Sequence, residues 1–401
     1  MPQSNINSYW KLRALLGVVL LSGLLFPISC ATRNPNPLHS DRYRTEPIVR
    51  VQLTEYARTR SAPLAIKGPF QIRSGEQVVA RGRNMKEDRI RVSGPSVVIA
   101  SRPLAGPILE IIPARDGTIV IGDRRYRGRL FVLRANGRLS YVNHLPMEDY
   151  LAGVIGCEMS LSWPDSALET QAICARTYAL HEMTASKHKD FDVYDSVKSQ
   201  VYRGIANDDD RARTVIAKTR GLVLTYQGRV FPTFFSSTCG GHTASAELAF
   251  GGPKIPPLSG RPCEACKISK YYRWSRNLDK STIEKKLRAA GATIPGPLST
   301  IQIVQAGPSG HARTVELKGA SGSTTWPATR FRMAVGPGTK GILSTRFQTL
   351  DRGDTIDFEG GGWGHGVGLC QMGTLGLARD GVPCDRICRF YYPGALIRRF
   401  W

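Results

Sequence analysis

The chain has 401 residues, 41% of them hydrophobic and 22% charged, a globular composition with enough length for one large core or two smaller ones. That balance excludes a wholly disordered chain, a collagen-like chain and a multi-span membrane protein. Fifty-five Lys and Arg against 32 Asp and Glu leave a net charge of +23, a surface field that attracts an anionic polymer: nucleic acid, acidic lipid or cell-wall glycan.

Residues 1–30 read as an export signal, because Lys11 and Arg13 precede a largely apolar, uncharged run from Ala14 to Phe26 that is short for a membrane span. Pro27-Ile28-Ser29-Cys30 resembles a bacterial lipoprotein processing box, in which Cys30 becomes the lipidated first residue of the mature chain. Pro27 stands where Leu is usual, and a plain secretory signal or an uncleaved anchor fits the same residues. Residues 31–46 are polar and Pro-rich (Asn34, Pro35, Asn36, Pro37), as expected of a linker holding a domain away from a membrane.

From 47 to 140 short β-type runs recur, at Ile48 to Leu53, Gln77 to Arg81, Ser96 to Ala100, Ile108 to Ile112, Thr118 to Ile121, Leu130 to Leu133 and Leu139 to Val142. Asp116-Gly117 and Asn136-Gly137 between them are hairpin signals. The pattern then changes. Ser162-Trp163-Pro164-Asp165 starts a helix to about Met183, with Leu168, Ala172, Ala175 and Ala179 at helical spacing. Further helices are predicted at Ala212 to Thr219 and at Ser281 to Ala290, the latter stopped by Gly291. Leu222 to Tyr226 and Val230 to Phe235 form a predicted hairpin about Gln227-Gly228, and strand character returns at Ile301 to Ala306, Thr314 to Leu317 and Thr355 to Phe358. The order implies an α+β fold, with a β-rich N-terminal part at 47–140 and a mixed helix and strand core at 141–401.

Nine cysteines include Cys30, and the others stand at 157, 174, 239, 263, 266, 370, 384 and 388. Cys239-Gly240-Gly241-His242 and Cys263-Glu264-Ala265-Cys266 offer two ligand pairs, each closing on one ion through a two-residue turn. The expected site is a structural, four-coordinate zinc held by Cys239, His242, Cys263 and Cys266; a Cys263–Cys266 disulfide beside an incidental histidine is the alternative.

Residues Gly360 to Gly368 contain six glycines around Trp363 and His365, which allows backbone to approach a bulky ligand closely. No Lys-Ser or Lys-Thr follows, so this is not a phosphate loop. Trp363 suits stacking on a sugar face and His365 hydrogen bonding to it; a tight turn with a packed Trp fits as well. Tyr150 to Met159 is an apolar stretch carrying Glu158, and such surroundings favour the protonated form that a general acid needs near neutral pH. A solvated or capping glutamate is the plainer reading. Arg176 is a candidate for holding an anionic substrate group or balancing Glu158, or is a surface arginine.

Four blocks together are more specific than any one. Glu158-Met159 with Ser162-Trp163-Pro164, Gln171-Ala172 and Ala175-Arg176-Thr177-Tyr178; Ser236-Ser237-Thr238-Cys239-Gly240-Gly241-His242-Thr243; Gly364-His365-Gly366-Val367-Gly368 with Gln371-Met372-Gly373; and Tyr391-Tyr392-Pro393-Gly394 resemble, in order, the SpoIID/LytB family, the stage II sporulation protein D group. The resemblance covers about Tyr141 to Pro393. It implies a lytic transglycosylase of peptidoglycan, in the sporulation members acting on glycan strands stripped of stem peptides. The family's catalytic acid falls on Glu158, with Gln171, Arg176, Trp363, His365 and Gln371 as substrate-binding or positioning candidates. One carboxyl suffices for such chemistry, since the muramic C6 hydroxyl is an internal nucleophile and the product is a 1,6-anhydro ring. Cys370 departs from the family's usual Ser, and Cys384 and Cys388 are additions.

The rival reading is a non-catalytic wall-binding protein or amidase enhancer, a role also attached to LytB-type relatives. A nucleic-acid partner is not expected, because the basic residues are scattered and the export signal takes the chain elsewhere. The expected partners are peptidoglycan, a cell-wall amidase and a membrane reached through the signal segment or a lipid on Cys30, and the expected location is the cell envelope.

Overall fold

The computed structural model describes residues 45–207 and 209–401; the export signal, the Cys30 box and most of the linker lie outside the described residues. The fold is α+β, as the order of elements implied. Its strands begin with β1 (Ile48–Gln52), β2 (Ser61–Lys67), β3 (Phe70–Ser74), β4 (Gln77–Gly82), β5 (Met85–Ser93), β6 (Ser96–Ile99), β7 (Arg102–Leu104), β8 (Ile108–Pro113), β9 (Thr118–Ile121), β10 (Arg124–Tyr126), β11 (Arg129–Ala135) and β12 (Arg138–Pro146).

These strands form two sheets. One runs β1-β12-β11-β8-β3-β4, with a short parallel strand, β13 (Val193–Tyr194), added beside β1; the other runs β10-β9-β2-β5-β6-β7. Alternate residues point inward, as in β2, where Ala62, Leu64 and Ile66 are buried and the residues between are not. Asn136-Gly137 makes the expected hairpin of β11 and β12, both residues in the left-handed region. Asp116-Gly117 does not make a hairpin: it carries the chain from β8 in one sheet to β9 in the other.

The helices are α1 (Met147–Glu158), α2 (Asp165–Ala185), α3 (Asp210–Lys218), α4 (Ala246–Phe250), α5 (Lys280–Ala289), α6 (Ala328–Val335), α7 (Gln371–Arg379) and α8 (Cys384–Tyr391). None among the described residues is long and apolar enough to cross a membrane. The stretch before α2 is itself the helix α1. Seven of its residues are buried, so it shows no polar face to mark it as helical.

There are two hydrophobic cores. The larger joins residues of both N-terminal sheets, such as Leu64 and Val132, to α1, α2, the thiol-rich loops and the C-terminal strand Leu396–Arg399. The smaller lies wholly within residues 274–358, where Phe331, Phe347 and Phe358 pack under two three-stranded sheets with α5 and α6.

Candidate active site and thiol cluster

Glu158 is the last residue of α1; Met159 turns out of the helix with extended backbone. The helix begins after Pro146 and carries Glu148 and Asp149 in its first turn, where negative charge is favourable. One oxygen of Glu158 accepts the Val201 N–H at 3.1 Å, and the other accepts the side-chain amide of Gln371 at 3.3 Å. Burial pushes the Glu158 carboxyl above its ordinary value, and the two hydrogen bonds oppose that shift. The group is therefore a desolvated acid whose ionised form still has two donors waiting for it.

Val201 reaches this position because its loop is fastened on both sides. Gln200 donates to the Ala175 carbonyl of α2 at 3.1 Å and accepts the Tyr150 hydroxyl of α1 at 3.1 Å. Gly153 admits the loop against α1: a Cβ there would stand 2.5 Å from the Tyr202 ring and 2.6 Å from the Gly204 carbonyl oxygen. Sequence reasoning missed Gly153, Tyr150, Gln200 and Val201. A glycine inside an apolar stretch was the available signal, but its partner is far along the chain.

Of the residues singled out in the sequence, the structure brings Gln371 to Glu158 and disposes of the others differently. Arg176 is fully buried and makes a two-pronged ion pair with Glu148, at 3.1 and 2.6 Å, with its remaining nitrogen on the Leu222 carbonyl at 3.0 Å. It balances Glu148, not Glu158, and is closed off from any substrate. Gln171 is also fully buried on α2, and neither its amide nitrogen nor its oxygen has a hydrogen-bond partner.

The glycine loop lies against the chain's own segment 234–240. Trp363 pairs with Thr238 through both backbone bonds, and its ring packs edge-on to Tyr271 at 4.6 Å beside the smaller core. His365 sits between Phe234 and Phe250, at 6.0 and 5.3 Å, and accepts the Val367 N–H through Nδ1. Burial lowers its pKa to about 4, so the ring is neutral at physiological pH. The glycines are required by protein contacts: a Cβ on Gly368 would meet the Phe234 carbonyl oxygen at 2.1 Å, and one on Gly366 the His311 Nε2 at 2.4 Å. The bulky neighbour expected from the glycines is thus the fold itself.

The thiols of Cys239, Cys263, Cys266 and Cys370 are all buried, and their sulfurs lie within 4.8 Å of one another. Cys370, not His242, supplies the fourth position. His242 Nδ1 donates to the Thr243 carbonyl at 2.8 Å, and its backbone pairs with Pro262. Cys370 closes the set because Phe235-Ser236, just before Cys239, pairs with Leu369-Cys370 as parallel strands.

The donor set fits zinc. Zn–S bonds of about 2.3 Å place tetrahedral sulfurs about 3.8 Å apart, and Cys239 and Cys266 are separated by 3.7 Å, far beyond the roughly 2.05 Å of a disulfide. The Cys370 sulfur accepts N–H groups from Cys239 at 3.2 Å and Gly373 at 3.4 Å, and Tyr391 Oη lies 3.2 Å from Cys263 Sγ. Burial, with the neighbouring thiols adding to it, pushes the Cys370 thiol well above its usual range, and a bound cation would favour its ionised form. Cys388 contacts Cys174 instead of this cluster.

A family model described as "Stage II sporulation protein" (SpoIID) matches residues 135–226, and a domain of unknown function, DUF8618, matches 264–368. An uncharacterized protein of Brachyspira hyodysenteriae is 30% identical over 365 residues, covering 88% of this chain and 93% of that protein. The stage II sporulation protein D of Bacillus subtilis is 28% identical over 271 residues, covering 64% of this chain and 75% of its own. The amidase enhancer of Bacillus subtilis is 24% identical over 295 residues, 62% of this chain and 40% of that protein.

Proposed function

The chain belongs to the SpoIID/LytB family, and from that premise we propose that it is an exported lytic transglycosylase that cuts peptidoglycan glycan strands with Glu158 as its acid and base. The observation that supports this reading is the state of Glu158: desolvated and raised in pKa, yet provided with the Val201 and Gln371 donors. In the first half of the reaction the protonated carboxyl gives its proton to the glycosidic oxygen between N-acetylmuramic acid and N-acetylglucosamine, and the C1–O bond breaks. In the second half the carboxylate takes the proton of the muramic C6 hydroxyl as that oxygen bonds to C1. The product is a 1,6-anhydro end, no water is consumed, and Glu158 returns to its protonated form. Val201 N–H and Gln371 steady the carboxylate between the halves.

Cys239, Cys263, Cys266 and Cys370 would hold a zinc ion with no open coordination position, which supplies structural cross-linking and no chemistry at the glycan. Its place in the reaction is indirect, because Cys370 immediately precedes Gln371 at the start of α7.

The kinship to an amidase enhancer favours one other reading, a wall-binding protein that assists an amidase without cutting. Purified protein incubated with intact and with amidase-treated peptidoglycan, followed by mass analysis, separates the two. Anhydro-ended fragments support the transglycosylase, water-terminated ends indicate a hydrolase, and no release with retained binding indicates the enhancer.

A further inference from the structure

A cleft of about 1060 Å³ opens between the β11–β12 hairpin, the turn after β1 and the loop 188–198 that follows α2. Its lining carries Arg58, Arg134, Arg138 and Lys198 against one carboxylate, Asp190, among the described residues. Asp190 also acts on Arg50, whose pKa it helps to raise, so the cleft keeps a cationic surplus. Arg138 donates to the Arg58 carbonyl at 3.0 Å, which sets it on that rim. Arg134 lines the cleft, and its Nε is buried without a hydrogen-bond partner.

The loop provides aromatic surface. His188 stacks on Phe191 at 4.2 Å and 19°, and Tyr194 meets Phe191 edge-on at 4.9 Å. The Tyr194 hydroxyl lies 3.2 Å from His188 Nε2, and the Lys198 ammonium 5.2 Å from the Tyr194 ring. The three rings pack on one another within the loop itself.

We propose that this cleft binds a carboxylate-bearing polysaccharide, as a second point of contact for the polymer that Glu158 cuts. The chemistry favours that partner: pyranose rings carry an apolar face that packs on aromatic rings, and guanidinium groups pair with carboxylates in two-pronged geometry. A bare polyphosphate has no apolar face for the aromatic loop. The cleft and the acid also share one loop, since Lys198 is followed shortly by Val201, whose N–H holds Glu158. The identity of the polymer rests on the reading given above; the cationic, aromatic site does not.

The test uses the full chain carrying Glu158→Gln, so that bound polymer stays uncut, titrated against peptide-stripped glycan strands and against polyphosphate at low and high salt. Adding Arg134→Gln, Arg138→Gln and Lys198→Gln weakens strand binding by about tenfold and flattens its salt dependence, whereas Arg81→Gln, Arg83→Gln and Lys86→Gln, an equal charge change on exposed residues outside the cleft, alters it less than about twofold. Phe191→Ala alone gives the same direction if the triple variant does not fold. Equal strand binding by the cleft and control variants overturns the proposal, as does polyphosphate binding tighter than glycan through the same residues. Strand binding that depends on the cleft, in a protein whose native form releases no fragments, sustains the cleft and defeats the transglycosylase reading.

Discussion

Gln371 donates its side-chain amide to Glu158 at 3.3 Å across 213 positions of sequence, and the residue before it, Cys370, is one of the four clustered thiols. A separation into a reacting part and a structural part therefore does not hold at this point of the chain. Whatever fixes the start of α7 also fixes the donor on the acid.

Glu158→Gln keeps the shape of the acid and removes its proton exchange. Fragment release falls roughly a hundred- to ten-thousand-fold, while sedimentation with insoluble peptidoglycan is retained. The same variant reports on pH. Because burial raises the Glu158 pKa, the folded chain holds this proton more tightly than the unfolded chain, so stability declines as pH rises through the shifted value. Melting curves across that range should show Glu158→Gln gaining on the native chain as pH increases; parallel curves would contradict the burial of the acid.

Gln371→Ala removes a hydrogen bond that favours the ionised carboxyl, so the Glu158 pKa rises further. The high-pH limb of the rate profile moves upward, and turnover at its optimum falls by about tenfold or more as the carboxylate loses a donor. A loss of rate with an unmoved limb would assign Gln371 a purely architectural role.

Metal analysis of the native chain should find zinc, with Cys370→Ser depleted and His242→Ala undiminished. Chelation or Cys370→Ser lowers the melting temperature together with turnover, since Cys370 accepts the Gly373 N–H at the start of α7. Zinc retained by Cys370→Ser but lost from His242→Ala would restore the ligand set expected from spacing.

Arg176→Met leaves Glu148 partly buried without its cation, although Gly221 N and the Trp401 indole still donate to it at 3.1 Å. Denaturant titration should show a loss of about 3–5 kcal/mol, and adding Glu148→Gln should recover much of it. A glycan KM that rises in the folded Arg176→Met chain, with stability unchanged, would return Arg176 to the substrate.

Much of this was legible where the signal is local. The Pro164-Asp165 start and alanine spacing mark α2, and Asn136-Gly137 marks its hairpin. The helix α1 was hidden because burial on most sides erases the polar face that periodicity needs. Asp116-Gly117 supplies the right turn residues, but which sheet the next strand joins is a long-range matter. Cys-x-x-His spacing picked His242, the near neighbour, whereas the fourth thiol arrives by parallel pairing of Ser236 with Cys370. Arg176 looked available because its partner Glu148 lies on another helix.

Cys266 and Cys370 meet in a cluster whose sulfurs are no more than 4.8 Å apart, and the whole smaller core lies on the chain between them. Since that excursion leaves and returns at one knot, it can be lengthened, trimmed or exchanged as an appendage without stretching any span on which the acid depends.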